Sequence, residues 1–269
     1  MSAASNVEES SSQDKGKYVC VECEAPSDKL YSTFPGSGNV RIEHCKKCKE
    51  PVDRYIEHDV TLQLLDLLLL SKPVWRHVLI NQETTYLHWK IAVICLFCNG
   101  YMKLITSSSL NEFNPNKSMN DDDFVFQAAK QVELYVLSFV SGLELMAYLL
   151  FVLFFNYLMV KCKPFNGLTW KKMRLGFMEK PTSMEIIRCL LLSGAGKLLF
   201  IPAIIWAQGE SPLYLQMIIF YVMLCSSLAF SLIVNCSLVK GIFIIVLSNV
   251  FGISFIHPID MWLRSLDLF

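Results

Sequence analysis

Two pairs of cysteines carry the clearest chemistry in the chain. Cys20 and Cys23 stand in "YVCVEC" and Cys45 and Cys48 in "EHCKKC", giving C-x-x-C twice with 21 residues between the pairs. A C-x-x-C turn lets two thiolates reach one ion while the backbone N–H groups that follow point at sulfur. Two such turns complete a tetrahedron. One structural zinc bound by Cys20, Cys23, Cys45 and Cys48 is therefore expected, with a single iron as the competing occupant of a four-thiolate site. Four thiolates and one divalent cation sum to a charge of minus two, and Lys46, Lys47 and Lys49 crowd the second pair. Those lysines are expected to soften the excess negative charge and favour the deprotonated ligands. A RING-type ligase would require a second ligand set that the sequence lacks, and His44 is a weaker alternative ligand beside Cys45.

A second group of residues lies in apolar surroundings. Glu144 and Lys197 sit deep in long hydrophobic segments, where an ionisable group costs about 2.5 to 3.5 kcal/mol to insert. Their similar depths in antiparallel segments predict an ion pair or a polar site for a lipid hydroxyl or headgroup. "SGAGK" around Lys197 is not a phosphate loop, because Leu191 stands where an earlier glycine is required and Leu198 where Ser or Thr is required. Gly194, Ala195 and Gly196 read instead as a smooth packing surface, with Pro202 as a nearby kink. Cys95, Cys98, Cys189, Cys225 and Cys236 read as membrane packing, Cys162 as an interfacial thiol open to palmitoylation, and Asp121, Asp122 and Asp123 as a helix start.

The elements that must position these residues follow from composition. The chain has 269 residues and zero formal charge, and 53% of its residues are hydrophobic. Its mean hydropathy of +0.40 is too apolar for a soluble globule. Residues 1–16 are Ser-rich and acidic and read as a disordered tail without the apolar core of a secretory signal. Residues 17–58 form a polar module in which "KYVCVEC" and "NVRIEHC" alternate like strands of one small sheet. Residues 59–82, "DVTLQLLDLLLLSKPVWRHVLIN" at their heart, read as an interfacial amphipathic helix broken near Pro73, with Trp75, Arg76 and His77 at headgroup level; a buried helix of a soluble domain is the alternative. Residues 83–269 form a transmembrane domain with spans near 86–106, 134–160, 185–207, 213–236 and 240–256. The first and fifth are weak enough to be re-entrant. Lys90 and Lys103 of the first are expected to snorkel to opposite interfaces.

Segment 161–184 carries six Lys and Arg residues, whereas "QGESP" carries none, which places the former in the cytosol. With five spans the cysteine module is also cytosolic, and the acidic "NPNKSMNDDDF" loop, with its sequon at Asn116, faces the lumen. A reducing compartment disfavours disulfides and leaves metal binding as the use for four spaced thiols. The fold class is thus an all-α polytopic membrane protein of about five transmembrane helices, with a small N-terminal cytosolic zinc ribbon and an interfacial amphipathic helix.

The ordered set of Cys20, Cys23, Cys45 and Cys48, then "PVDRYIEHD", then "LLDLLLLSKPVWRHVLIN" ahead of several spans, resembles the Arv family of endoplasmic-reticulum lipid-homeostasis proteins. "GKLLFIPAIIW" also resembles the family's third span. The resemblance implies residence in the endoplasmic-reticulum membrane, with Golgi membrane as a further location. It also implies a role in sterol distribution, with linked effects on sphingolipids and on glycosylphosphatidylinositol (GPI) anchor precursors, and it supplies no catalytic residue. The expected partners are sterols or other membrane lipids, then membrane proteins of lipid biosynthesis, and no nucleic acid. The leading class is a non-enzymatic lipid-handling protein; the alternative is an accessory subunit or regulator of a lipid or GPI-anchor biosynthetic enzyme. An enzyme is not expected, because the spans offer no cluster of His, Asp or Cys suited to acyl transfer or hydrolysis.

Overall fold

A computed structural model of the chain describes residues 18–33, 40–82, 87–111, 123–161, 181–206 and 212–265. Cys162, Asn116, Asp121, Asp122 and most of the basic 161–184 segment lie outside them. The chain divides into two compact units.

Among the described residues, the first unit holds 18–33, 40–67 and 71–82, and residues 68–70 belong to the second. Its strands form two separate two-stranded antiparallel ladders in place of one sheet. β1 (Tyr18–Val19) pairs with β2 (Pro26–Ser27), and β3 (Tyr31–Thr33) pairs with β4 (Val40–Ile42) with Ser32 opposite Arg41. Each cysteine pair turns the chain sharply, so neither strand continues through its knuckle into a common sheet. The ladders are joined by backbone bonds from Val21 N to the Val52 carbonyl (3.0 Å) and from Val52 N to the Glu43 carbonyl (2.8 Å). A 3-10 turn at Arg54–Ile56 begins at Asp53, whose carboxylate accepts from Tyr55 N. Two helices follow. α1 (Val60–Leu68) ends before Leu70, which takes a left-handed backbone with φ 57°, and α2 (Lys72–Arg76) starts with Pro73 in its first turn, where no amide partner is lost. The chain then widens into one π turn, His77–Asn81.

Trp75, Arg76 and His77 are not at headgroup level. They are 4%, 8% and 7% exposed, within the core of the polar module. Hydropathy reads residues 59–82 as one amphipathic stretch, yet the break at Leu70 separates an exposed α1 from a buried α2 and π turn. A helix of roughly 20 residues cannot do both at once.

The second unit is helical: α3 (Leu87–Asn111), α4 (Asp123–Lys161), α5 (Ser183–Ser193), a 3-10 segment (Gly194–Leu199), α6 (Phe200–Ile205), α7 (Pro212–Ile233) and α8 (Leu238–Ser265). Four stretches, 131–161, 183–203, 213–233 and 238–258, are long and apolar enough to cross a membrane. The segment expected at 240–256 lies within one of these stretches, in α8. α3 is 25 residues long and is not among these four stretches of the described residues. α5 starts with a capping box in which Thr182 and Glu185 exchange side-chain-to-backbone hydrogen bonds. The third span is not a continuous α-helix. Pro202 has no N–H for the Leu198 carbonyl, and Gly194 and Gly196 resist α geometry weakly, so the chain tightens to 3-10 across them.

α3 packs on α4, α4 on α8, and α7 on α8 and α5. Met102, Phe200, Ala203 and Ile218 join α3, α6 and α7, while Val140, Ala147 and Ile256 join α4 and α8. On the outer face of α4, Tyr135, Phe139, Met146, Leu150 and Tyr157 are 58–66% exposed, a lipid-facing stripe. Buried serines turn back on their own helices: Ser227 donates to the Met223 carbonyl and Ser248 to the Ile244 carbonyl, both four residues earlier.

α3 and α4 approach closely at Gly100. A Cβ there would stand 2.3 Å from Ser138 Oγ and 2.9 Å from Ser138 N, whereas Gly142 has nothing within 4 Å. Gly100→Ala is expected to push the two helices apart and cost about 1 to 3 kcal/mol. Gly142→Ala should be neutral or mildly stabilising. Thermal unfolding of the two variants in the same detergent checks the contrast.

Candidate metal centre and intramembrane polar site

The four cysteine sulfurs all lie within 4.8 Å of one another. Across the two knuckles, Cys20 Sγ is 3.7 Å from Cys48 Sγ and Cys23 Sγ is 3.5 Å from Cys45 Sγ. A tetrahedral ion with metal–sulfur bonds of ~2.3 Å places its ligands roughly 3.8 Å apart, so the donor set and its spacing fit one metal ion.

The two knuckles are built alike. Cys20 N donates to the Ala25 carbonyl and Cys45 N to the Glu50 carbonyl, each at 2.8 Å. Glu24 N closes back on the Cys20 carbonyl (3.0 Å) and Lys49 N on the Cys45 carbonyl (2.9 Å). Glu24 and Lys49 both take a left-handed backbone, with φ 63° and 64°. This common turn aims successive amides at sulfur: Lys47 N lies 3.4 Å from Cys45 Sγ.

The thiols are not equivalent. Burial pushes Cys20 up to about 12 and also raises Cys23. For Cys45 burial acts upward too, but the backbone N–H groups of Cys48 and Lys47 and the neighbouring cysteines bring it down to about 7. Lys46, Lys47 and Lys49 are exposed. What lowers Cys45 is backbone amide, that of Cys48 first and then that of Lys47. A cation held by Cys20, Cys23, Cys45 and Cys48 would supply the positive charge that lets all four thiols ionise.

Sequence reasoning missed what holds this ribbon to α2 and the π turn. Asp53 is 0% exposed. Its Oδ2 accepts from His77 Nδ1 and from Asn81 Nδ2, both at 2.7 Å, and its Oδ1 accepts from Tyr55 N at 3.1 Å. Asn81 also pairs with the backbone of Val19, accepting from its N–H (3.0 Å) and donating to its carbonyl (2.9 Å). Arg76 donates to the carbonyls of Val21 and Glu22 and forms an ion pair with Glu24. Asp53, Arg76, His77 and Asn81 are thus the buried polar complement of the first knuckle. The signal was present in "PVDRY" and "WRHVLIN" as charged residues within apolar runs, but nothing in the spacing joins residue 53 to residue 77.

In the second unit Glu144 has a different partner from the expected one. Lys103 Nζ on α3 lies 2.6 Å from Glu144 Oε1, so Lys103 does not snorkel. Lys197 is half-buried and within electrostatic range of Glu144, Lys103 and Cys95, but forms no ion pair with Glu144 among the described residues. The 3-10 turn accounts for this. Four residues at 120° instead of 100° each rotate Lys197 by roughly 80° from the face that α-helical geometry would give it.

Around Glu144 the inward face of α4 carries Ser141 and Tyr148, three and four residues away, so all three share one side of the helix. The hydroxyls of Ser141 and Tyr148 are buried and make no hydrogen bond of ordinary geometry among the described residues, and the Ser226 hydroxyl on α7 is the side chain nearest to pairing with Tyr148. Cys95 Sγ lies 3.5 Å from the Gly194 carbonyl, and Ser193 Oγ is 3.0 Å from Ser226 Oγ. The interior of this helical unit therefore contains an ion pair, a third charge and, on α4, the hydroxyls of Ser138, Ser141 and Tyr148 with unused hydrogen-bonding capacity.

The Arv1-like family model matches residues 19–230. Protein ARV1 of Bos taurus is 32% identical over 207 residues, covering 77% of this chain and 66% of its own length. Protein ARV1 of Homo sapiens is also 32% identical over 207 residues, with 69% of its length covered. Protein arv1 of Schizosaccharomyces pombe is 34% identical over 94 residues, 35% of each chain. The chain thus spans about two thirds of the length of the mammalian relatives. No solved structure matches it.

Removing Asp53 leaves His77 and Asn81 buried without their acceptor. Asp53→Ala is expected to destabilise the first unit by about 3 to 5 kcal/mol although all four cysteines remain. Limited proteolysis of the full chain, read together with its metal content, checks this: early cleavage within residues 18–82 is expected.

Proposed function

The chain belongs to the Arv1-like family, and from that premise we propose that it serves sterol and lipid homeostasis in the endoplasmic-reticulum membrane by binding or moving a hydroxyl-bearing lipid. The observation that carries this reading is the inward stripe of α4. Ser141 and Tyr148 offer unpaired hydroxyls beside the Lys103–Glu144 ion pair within an otherwise apolar bundle. A sterol presents one hydroxyl on a rigid apolar body, which matches a few polar groups set in a hydrophobic wall. Glu144 and Lys103 hold the polar end of the site, and Lys197 lends a second positive charge for a headgroup. The process is non-enzymatic and needs no chemical turnover.

Within the same proposal the metal is zinc, one per chain, and its role is structural. All four coordination positions are filled by Cys20, Cys23, Cys45 and Cys48, leaving none for substrate. With α3 crossing as the expected first span, the ribbon faces the same cytosolic side as the basic 161–184 segment, in keeping with four reduced thiols. Elemental analysis of purified full-length protein is expected to give about one zinc per chain, and Cys20→Ser combined with Cys48→Ser should abolish it. Stoichiometric iron, or metal retained by the double variant, contradicts the assignment.

Lipid handling is tested with the purified protein in liposomes and a fluorescent sterol. Ser141→Ala with Tyr148→Phe removes hydroxyls that make no hydrogen bond of ordinary geometry among the described residues, so folded yield should hold or rise. If those groups bind lipid, sterol binding should fall about 3- to 10-fold for each hydrogen bond lost. Unchanged binding defeats the role of the stripe. Sterol movement that appears only with a co-purified biosynthetic enzyme favours the accessory-subunit reading.

A further inference from the structure

α1 is built inside out. Its two polar side chains with long reach turn toward the ribbon: Gln63 Nε2 donates to the carbonyls of Tyr55 (2.9 Å) and His58 (3.0 Å), and Asp66 Oδ2 accepts from Tyr55 Oη at 2.8 Å. No residue of α1 is buried. Val60 is 70% exposed, Leu62 51%, Leu64 55%, Leu65 53%, Leu68 47% and Leu69 69%. At 100° per residue the five of these side chains that lie within α1, Val60 to Leu68, cover an arc of roughly 200°, and Thr61 is the sole polar residue within it.

We propose that α1 is the seat of the N-terminal module on the bilayer: its outer half lies immersed among the lipid headgroups and upper acyl chains, and the ribbon fixes its rotation. Three observations select a lipid leaflet as the occupant. First, an arc of roughly 200° is about twice the width of the stripe a partner helix or groove covers, so a protein contact would leave one edge in water, whereas a leaflet covers both. Second, the helix's only ionisable residue, Asp66, faces the Tyr55 hydroxyl, so no charge enters the lipid. Third, residues 82–86 alone separate the π turn from α3, a tether of at most roughly 20 Å. With α3 in the bilayer, a tether of that length keeps the apolar arc within reach of lipid.

The seat is coupled to the metal site through Tyr55. Its backbone amide is held by Asp53, its carbonyl by Gln63 and its hydroxyl by Asp66. Loss of the ribbon fold therefore frees α1 to rotate without altering any apolar residue on it. Seating requires a bilayer only and is independent of which lipid the membrane unit handles.

The test places a photoreactive benzoylphenylalanine at Leu65, at Leu64 on the opposite side of the arc, and at exposed Asp28 on the ribbon, each in the full-length protein reconstituted into phosphatidylcholine vesicles. Retained metal content certifies the fold of each variant. Lipid adducts at both 64 and 65, several-fold above those at 28, are expected. Lipid labelling no greater than at 28, or adducts to a second copy or another protein at either position, overturns the proposal. A second readout is Leu62→Glu with Leu65→Glu, which keeps the ribbon contacts of Gln63 and Asp66. It should lose the lipid labelling at 64, and labelling undiminished by two charges in the arc also overturns immersion.

Discussion

The first unit depends on how one buried carboxylate is satisfied. Asp53 has no exposed surface, and an ionised carboxylate removed from water costs several kcal/mol unless donors replace the lost hydration. Three do: His77 Nδ1, Asn81 Nδ2 and the Tyr55 amide. The π turn is what brings His77 and Asn81 to the same oxygen. Widening the helix by one residue per turn sets positions four apart more nearly side by side than α geometry would allow. The consequence is that a small ribbon, too short of apolar residues to sustain itself, borrows Val74, Trp75 and Val78 as a core. A metal held by the four cysteines would join the two knuckles, and Asp53 joins the first knuckle to the helix that follows.

The metal site was legible because its information is local. Two C-x-x-C pairs specify donors, turn geometry and coordination number within a few residues, and the sulfur spacing agrees with that reading. The helical class and four of the membrane segments were legible from hydropathy alone. The burial of Trp75, Arg76 and His77 was not, because an amphipathic pattern reports that a helix has two faces and is silent about which phase covers each. α1 and α2 look continuous by composition, yet one leaves its apolar side chains exposed and the other buries them. The deciding partner of His77 lies 24 residues upstream, and no periodicity spans that separation.

The ion pair in the membrane unit illustrates a second limit. Depth along a span constrains one coordinate, and both Lys103 and Lys197 satisfied it for Glu144. Azimuth decided between them. α4 packs on α3 along its length with Gly100 against Ser138, and this close approach brings Lys103 within 2.6 Å of Glu144. The 3-10 segment turns Lys197 away from the face that uninterrupted α geometry would give it. Pro202 and the glycines near Lys197 were visible in the sequence as a kink and a packing surface, but their rotational effect on a side chain upstream of the proline was not.

The same physics explains why the polar stripe on α4 is informative. In a bilayer, hydroxyls without partners are normally satisfied by their own helix, as Ser227, Ser231 and Ser248 are here. Ser141 and Tyr148 depart from that pattern in the same unit and on the same face as Glu144. Tyrosine cannot fold its hydroxyl back to its own backbone, because the ring holds it too far out, so Tyr148 must find an acceptor on another element or on a ligand. Serine can fold back, and Ser141 does not. Hydroxyls left unpaired beside a charged pair cost stability that Ala and Phe at the same positions would recover. Under the proposed function, a lipid hydroxyl arriving from the membrane would supply the missing partner.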